Sequence, residues 1–301
     1  MSLSVRRVGH ESAEVVHHIV REAFSNRPAL DPPADALLET VSSIATRLAL
    51  NGGLVARVDG EPVGALLFDP VGDTVYLRRF GVLPAAQGHG VAAAMVETAV
   101  DAWVGRARLT VVAREELPGN IAFWEHRGFA QADRRTPYVE LSRPLPRLYD
   151  VPTADDMRAL GARIGADLRA GDLLVLSGGL GAGKTTFTQG LGEGLGVRGG
   201  VTSPTFVIAR VHPSVRGGPD LVHVDAYRLG GMAELDDLDL DTALDRAVTV
   251  VEWGEGMAET LADSRLEIRI SRADEEVEGE LDPRQVEVVG IGTRWVSSGV
   301  A

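Results

Sequence analysis

The chain has 301 residues, a formal net charge of −13, 45% hydrophobic but only 5% aromatic residues, and no cysteine. The length favours two domains with aliphatic α/β cores, and the missing thiols exclude disulfides, cysteine nucleophiles and thiolate metal sites. Residues 1–146 hold 15 Arg against 17 acids and residues 147–301 hold 15 basic against 26 acidic residues, so the acidic second half is a poor platform for a nucleic-acid backbone.

No signal-peptide pattern opens the sequence and no apolar run reaches spanning length, so a cytoplasmic location is expected. Residues 5–8 alternate like a first strand, and Ser12 is placed to cap a helix running to about Phe24. A second helix is expected over Ala34 to Leu50. Leu54 to Val58 and Val63 to Phe68 flank the turn Asp59-Gly60-Glu61-Pro62 as a hairpin, and Thr74 to Leu83 forms a longer strand. His10, His17 and His18 read as surface residues, because adjacent histidines on a helix point to different faces and no carboxylate stands at ligand spacing.

After the long strand comes Pro84-Ala-Ala-Gln87-Gly88-His89-Gly90-Val91-Ala92, leading into an alanine-rich helix to about Val104. Strand, small-residue loop and helix start bring free backbone N–H groups together, which suits an anion. With no lysine and no Ser/Thr to hold a metal, the site suits a pyrophosphate that is gripped and not cleaved.

These residues resemble the GNAT family of acyl-CoA-dependent N-acyltransferases, with Gln87, Gly90 and Ala92 filling its [Arg/Gln]-x-x-Gly-x-[Gly/Ala] mark. The strand Leu109 to Ala113 and the segment Pro118-Gly-Asn-Ile-Ala-Phe-Trp-Glu-His-Arg-Gly-Phe129 extend the resemblance over about residues 3–143. It implies a mixed, mostly antiparallel sheet with helices. It also implies acetyl-CoA held by Val82, Gln87, Gly88, His89, Gly90, Val91, Ala92 and Asn120, with the pantetheine arm between splayed strands near Phe80 to Leu83. Trp124 stands where many members carry a tyrosine that protonates the leaving thiolate; its indole N–H is no useful acid.

Ser142 to Pro152 holds three prolines in eleven residues, which disfavours helix and central strand and puts the boundary near Pro146, giving domains 1–146 and 147–301. Thr153 caps a helix whose apolar stripe is Met157, Leu160, Ile164 and Leu168. The apolar run Asp172 to Ser177 then leads into Gly178-Gly179-Leu180-Gly181-Ala182-Gly183-Lys184-Thr185-Thr186, a G-x-x-x-x-G-K-[ST] loop in the strand-to-helix setting it requires. Its amides cradle polyphosphate, Lys184 reaches the β/γ-phosphates, and the Thr185 hydroxyl ligates Mg²⁺. Lys184 is the only lysine in the chain; arginine serves everywhere else, and lysine stands where a compact ammonium fits between phosphates.

Two more strands, Leu221 to Asp225 and Val248 to Glu252, end in carboxylates at the edge where a parallel sheet binds ligands. One acid completes the Mg²⁺ shell and the other orients the attacking water or senses the γ-phosphate. Between them and the loop, Ser203 and Thr205 in Val201-Thr-Ser-Pro-Thr-Phe206 are placed like a switch segment. Ala233 to Asp245 packs six acids into thirteen residues without the central glycine and terminal glutamate of an EF-hand, so it reads as solvated or partner-facing. Ser271 to Asp282 reads as a loose loop, Gln285 to Val289 as a last strand, and Ser297 to Ala301 as a frayed end.

GxLGAGKTT, SPTF, DAYRL and VEW, in this order over about residues 152–270, resemble the TsaE family of ATPases in bacterial tRNA threonylcarbamoyladenosine formation. The resemblance implies phosphate binding by Gly178, Leu180, Gly181, Ala182, Gly183, Lys184, Thr185 and Thr186, with Trp253 flanking the nucleotide. It further implies Mg²⁺ on Thr185 and Glu252, hydrolysis supported by Asp225, and action on a TsaB–TsaD pair that holds the tRNA. The expected whole is a GNAT domain followed by a P-loop NTPase α/β domain, using acetyl-CoA and MgATP. A small-molecule kinase using the same loop and a nucleotide-sensing scaffold with a docking GNAT half are the alternatives; no arginine-rich lid of the kinase kind follows Thr186.

Overall fold

A computed structural model describes residues 2–28, 30–204, 208–228, 245–258, 261–272 and 283–296, so Thr205, nearly all of the acidic stretch, residues 273–282 and the C-terminal five lie outside the described residues. The chain divides into two compact units, Met1–Leu145 and Pro146–Ala301.

In the first unit, strands β1 (Leu3–Val8), β2 (Gly53–Val58), β3 (Glu61–Val71), β4 (Thr74–Val82), β5 (Arg108–Arg114), β6 (Ala130–Arg135) and β7 (Tyr138–Pro144) form one sheet in the order β1-β2-β3-β4-β5-β7-β6. Helices α1 (Ala13–Ser25) and α2 (Val41–Asn51) cover one face through Val16, Ile19, Ile44 and Leu48. The other face packs on α3 (Val91–Ala102) and α4 (Pro118–Glu125) through Met95, Val96, Ala99 and Trp124. Alternate faces of each strand feed the two layers, as a period of two requires.

The β4–β5 pair is the only parallel one in this sheet, and it is short. Thr74–Tyr76 pairs with Arg108–Thr110, and beyond that Leu77–Val82 has no partner on β5. The two strands therefore part into a cleft. A bulge in β4 sets Arg79 and Phe80 against the single Leu66, with Arg79 at φ 54°, the local kink by which such bulges re-aim a strand.

The second unit has the sheet β10-β11-β12-β9-β13-β14-β8, built from β8 (Arg147–Val151), β9 (Leu173–Ser177), β10 (Ala209–His212), β11 (Asp220–Asp225), β12 (Ala247–Glu252), β13 (Arg265–Arg272) and β14 (Arg284–Ile291). The four central strands run parallel and the flanking ones antiparallel. Helices α5 (Ala154–Gly165) and α6 (Lys184–Leu195) cover one face through Met157, Leu160, Phe187 and Leu191, and α7 (Thr293–Val296) adds Trp295 to the same core.

Three expectations change. The helix expected over Ala34–Leu50 is a 3₁₀ turn, Asp35–Leu38, followed by α2, because Thr40 is extended and closes a reciprocal capping box with Ser43 that starts a new helix. The proline-rich linker carries β8, an edge strand that contains no proline and is flanked by Pro146 and Pro152. Ser12 precedes α1 without a side-chain cap bond. Strands β6, β7, β10 and β13 were not foreseen.

Candidate functional site

In the second unit the parallel register brings the two strand-end acids side by side: Asp225 of β11 pairs with Glu252 of β12, and Glu252 with Leu176 of β9. The glycine loop leaves β9 one residue later. Gly178 takes φ 143°, and a Cβ there would collide with the Ile270 carbonyl of β13, so only glycine can make that turn. Gly183, at φ 109°, caps α6. Free amides of the loop and the first turn of α6 then face the strand ends.

Lys184 is 5% exposed, and its Nζ donates to the carbonyls of Gly178 and Gly179 at 2.7 and 3.1 Å. The ammonium also lies 3.7 Å from the centre of the Trp253 ring, a close cation–π contact. Burial lowers its pKa, and the Glu252 and Asp225 carboxylates oppose that shift. Trp253 holds φ 62°, its N–H donating to the Leu176 carbonyl at 3.1 Å, and its ring meets Tyr227 at 5.2 Å.

The Thr185 hydroxyl donates to Glu252 Oε1 at 3.3 Å. One hydroxyl and one carboxylate, both hard oxygen donors, fit Mg²⁺, which takes one or two carboxylates and completes its shell with water and substrate phosphates. Among the described residues no group of three or more His, Asp or Glu forms a protein-only cage. Asp225 is buried; its Oδ1 accepts from the Tyr227 N–H at 3.1 Å and its Oδ2 from the Ser203 hydroxyl at 3.3 Å. Ser203, expected to belong to a switch segment, therefore meets Asp225, and Thr205 falls outside the described residues.

Two residues of this site carried no assignment in the sequence. His223 is fully buried and its Nε2 lies 2.8 Å from Glu252 Oε1. Its Nδ1 is buried without a partner, so Nε2 is the nitrogen that donates. The signal was present: His223 stands two residues before Asp225, on the same face of β11. Arg284 of β14 donates from Nε to the Ala182 carbonyl at 3.2 Å and bonds the loop from outside. Replacing His223 by alanine strips a buried carboxylate of one of its two donors, and a loss of about 1–3 kcal/mol in urea unfolding of the second unit is expected; unchanged stability would show the pair to be idle.

In the first unit the β4–β5 cleft opens into a cavity of about 1030 Å³, at the upper end of the range for small-molecule sites. Val82, Gln87, Gly88, Gly90, Val91, Ala92 and Asn120 line it; His89 does not, and its Nδ1 sits 2.8 Å from the Gln87 carbonyl. Gly88 and Gly90 take φ 78° and 77°, and Gly90 precedes α3. The Gln87 amide donates to the Val82 carbonyl at 3.2 Å and so ties the loop to the cleft wall. Trp124 is 7% exposed and packs edge-on against Phe80, Phe123 and Phe129, each at 5.0 Å. It is a wall of the cavity and no proton donor.

Comparison with known proteins matches residues 151–281 to the family described as "Threonylcarbamoyl adenosine biosynthesis protein TsaE" and residues 14–129 to "Acetyltransferase (GNAT) family". The chain is similar to the tRNA threonylcarbamoyladenosine biosynthesis protein TsaE of Streptomyces coelicolor, 62% identical over 146 residues that make up 48% of this chain and 97% of that one. It is 38% identical over 142 residues to the protein of the same description from Bacillus subtilis, covering 47% of this chain and 84% of that one. The crystal structure of PaiA N-acetyltransferase from Thermoplasma acidophilum in complex with coenzyme A aligns with 48% of this chain and 99% of its own at 14% identity, with a TM-score of 0.43.

Proposed function

The chain belongs to the TsaE family, with a GNAT domain ahead of the family segment, and we propose that residues 147–301 bind and hydrolyse MgATP while residues 1–146 bind acetyl-CoA and acetylate an amine. The observation that carries the first half is the pairing of Asp225 with Glu252 across neighbouring strand ends, beside Thr185 and Lys184. Lys184 leaves the Gly178 and Gly179 carbonyls for the β/γ-phosphates, which the loop amides and Thr186 also hold. Thr185 and Glu252 would hold the metal, which would supply charge neutralisation to the triphosphate. His223 keeps Glu252 turned toward Thr185. Asp225 orients the attacking water, and Ser203 on its second oxygen ties that carboxylate to the switch segment. Trp253 flanks the nucleotide.

The role in tRNA threonylcarbamoyladenosine formation follows from the family, and we assign the stimulating partner as a TsaB–TsaD pair that holds the tRNA, in keeping with the acidic second half. No described helix is long and apolar enough to cross a membrane, and the location proposed is the cytoplasm. The test is ATP turnover of the full chain with and without purified TsaB–TsaD. Stimulation by the pair is expected, and its absence would refute the partner assignment. Asp225→Asn should lower the stimulated turnover by about a hundredfold to ten-thousandfold while ATP titration changes little. Glu252→Gln should instead raise the Mg²⁺ concentration needed for half-maximal rate; equal effects on both readouts in both variants would overturn the division of roles.

A further inference from the structure

The first unit's cavity is lined by five arginines, Arg27, Arg78, Arg79, Arg114 and Arg127, against one acid, Asp35. Three of the five are neutralised locally. Arg78 pairs with Asp69 at 3.1 Å, Arg79 with the buried Glu39 at 2.7 Å, and Arg114 with Glu116 at 2.7 Å. Arg127 lies over the Phe123 ring, on the α4 side. Arg27 and Arg127 form no ion pair among the described residues, although the unit as a whole carries more acids than bases; the Arg127 Nε is buried without a partner on the α4 side, whereas Arg27 stands just beyond the end of α1.

Its setting is built. Asn26 ends α1, its side-chain amide donating to the Glu22 carbonyl at 2.8 Å, and the chain turns so that the Arg27 guanidinium lies 3.7 Å over the Phe24 ring. Nη2 donates to the Phe80 carbonyl at 3.1 Å, in the part of β4 that has parted from β5 and beside the bulge that releases that carbonyl from the ladder. The following Asp31-Pro32 stretch is held over the cleft by Arg114, which donates to both carbonyls at 2.8 Å. One N–H of Arg27 is thus used on the backbone, and the residue lines the cavity. Burial pushes the guanidinium pKa down with no carboxylate to counter it. Arg27 is half-buried, and a partly desolvated cation without a counter-charge gains when a ligand supplies one.

We propose that Arg27 receives a carboxylate of the acceptor, so that the amine acetylated by this domain belongs to a small amino acid-like molecule. This rests on the acyltransferase reading and names its substrate class. The step it serves is simple. The uncharged amine nitrogen attacks the thioester carbonyl, the N–C bond forms, the C–S bond breaks, the amine proton passes to water, and the departing CoA thiolate takes a proton from water. Arg27 touches the acceptor remote from the reacting atoms and holds it by a charge-assisted, two-pronged bond.

The experiment uses the full chain. Acetyl-CoA binding is measured first by calorimetry. Transfer is then followed by the free thiol of released CoA, to which a chain without cysteine contributes nothing. Acceptors are L-α-amino acids, each beside its α-carboxamide, with glutamate beside glutamine and aspartate beside asparagine. At least one acid is expected to exceed its amide in kcat/KM by about tenfold to a hundredfold, although the amides hold the more readily deprotonated α-amines. Arg27→Gln keeps a donor for the Phe80 carbonyl and removes the charge; it should erase that preference with the melting temperature held, and Arg27→Lys should restore part of it. Acetyl-CoA binding with acids and amides used equally, with no acid used, or with the preference intact in Arg27→Gln overturns the proposal and leaves the acyltransferase reading standing. Failure to bind acetyl-CoA overturns that reading and the proposal together.

Discussion

Lys184→Ala is expected to lower ATP turnover by about a thousandfold. The ammonium is the one group in the loop that can follow charge onto the γ-phosphate oxygens as the bond to the leaving oxygen opens. The amides beside it are fixed dipoles and Thr185 is committed to Glu252. In the structure Nζ bonds two loop carbonyls and rests on Trp253, so the space it occupies is shaped for a compact tetrahedral cation. Lys184→Arg should therefore rescue little, because a planar fork cannot meet both carbonyls and lie under the ring in the same pocket. Since Lys184 is the only lysine, amine-directed labelling followed by peptide mass analysis reads its exposure directly, and MgATP should slow that labelling. A variant keeping more than about a tenth of parental turnover would remove Lys184 from the transition state.

The loop and the two carboxylates were legible because their constraints are local. A glycine that no Cβ can replace and an acid ending an apolar run each show in a few consecutive residues. What the sequence hid depended on partners far along the chain. β13 alternates, with Leu266, Ile268 and Ile270 inward while Glu267 and Arg269 face the other side. That looks unlike a central parallel strand, which is usually apolar on both faces. Its polar face is kept by ion pairs, Arg265 with Glu267 and Arg269 with Glu287 of the next strand. Nor could spacing reveal that Arg27 lacks a carboxylate while Arg79, across the same cleft, has one in Glu39, forty residues earlier. The GNAT and TsaE motifs pointed to both candidate sites; the charge balance inside the first needed coordinates.

The glycines of α6 argue against the helix they occupy, and resolving that conflict yields the sharpest stability test. Gly190, Gly192 and Gly194 follow one another at alternate positions, each costing up to about 1 kcal/mol relative to alanine in a helix interior. On propensity alone Gly190→Ala should stabilise the second unit. The packing says the reverse. A Cβ on Gly190 would run into the Arg158 carbonyl of α5, with the carbonyl carbon at 2.8 Å, and a Cβ on Gly161 of α5 would meet the Phe187 carbonyl of α6 and the Leu191 nitrogen at 3.0 Å. Gly165 and Gly194 repeat the arrangement further along, with the Leu191 carbonyl at 2.6 Å and the Ala166 nitrogen at 2.9 Å. Backbone lies against backbone, so no side chain can swing away, and the helices must separate along their contact. Overpacking of this kind costs about 1–3 kcal/mol and occasionally more, enough to outweigh the propensity gain. Gly190→Ala is expected to lower the melting temperature of the second unit by several degrees, about 2–4 °C per kcal/mol at this size, and Gly190→Val to prevent its folding. Gly179→Ala meets open space at an ordinary φ and should leave that temperature within about a degree or two. Because α6 begins at Lys184, Gly190→Ala should also weaken ATP binding as the helix start moves off the strand ends. A rise in melting temperature for Gly190→Ala would mean that α5 and α6 are not in backbone contact, and the position of Lys184 would then need another cause.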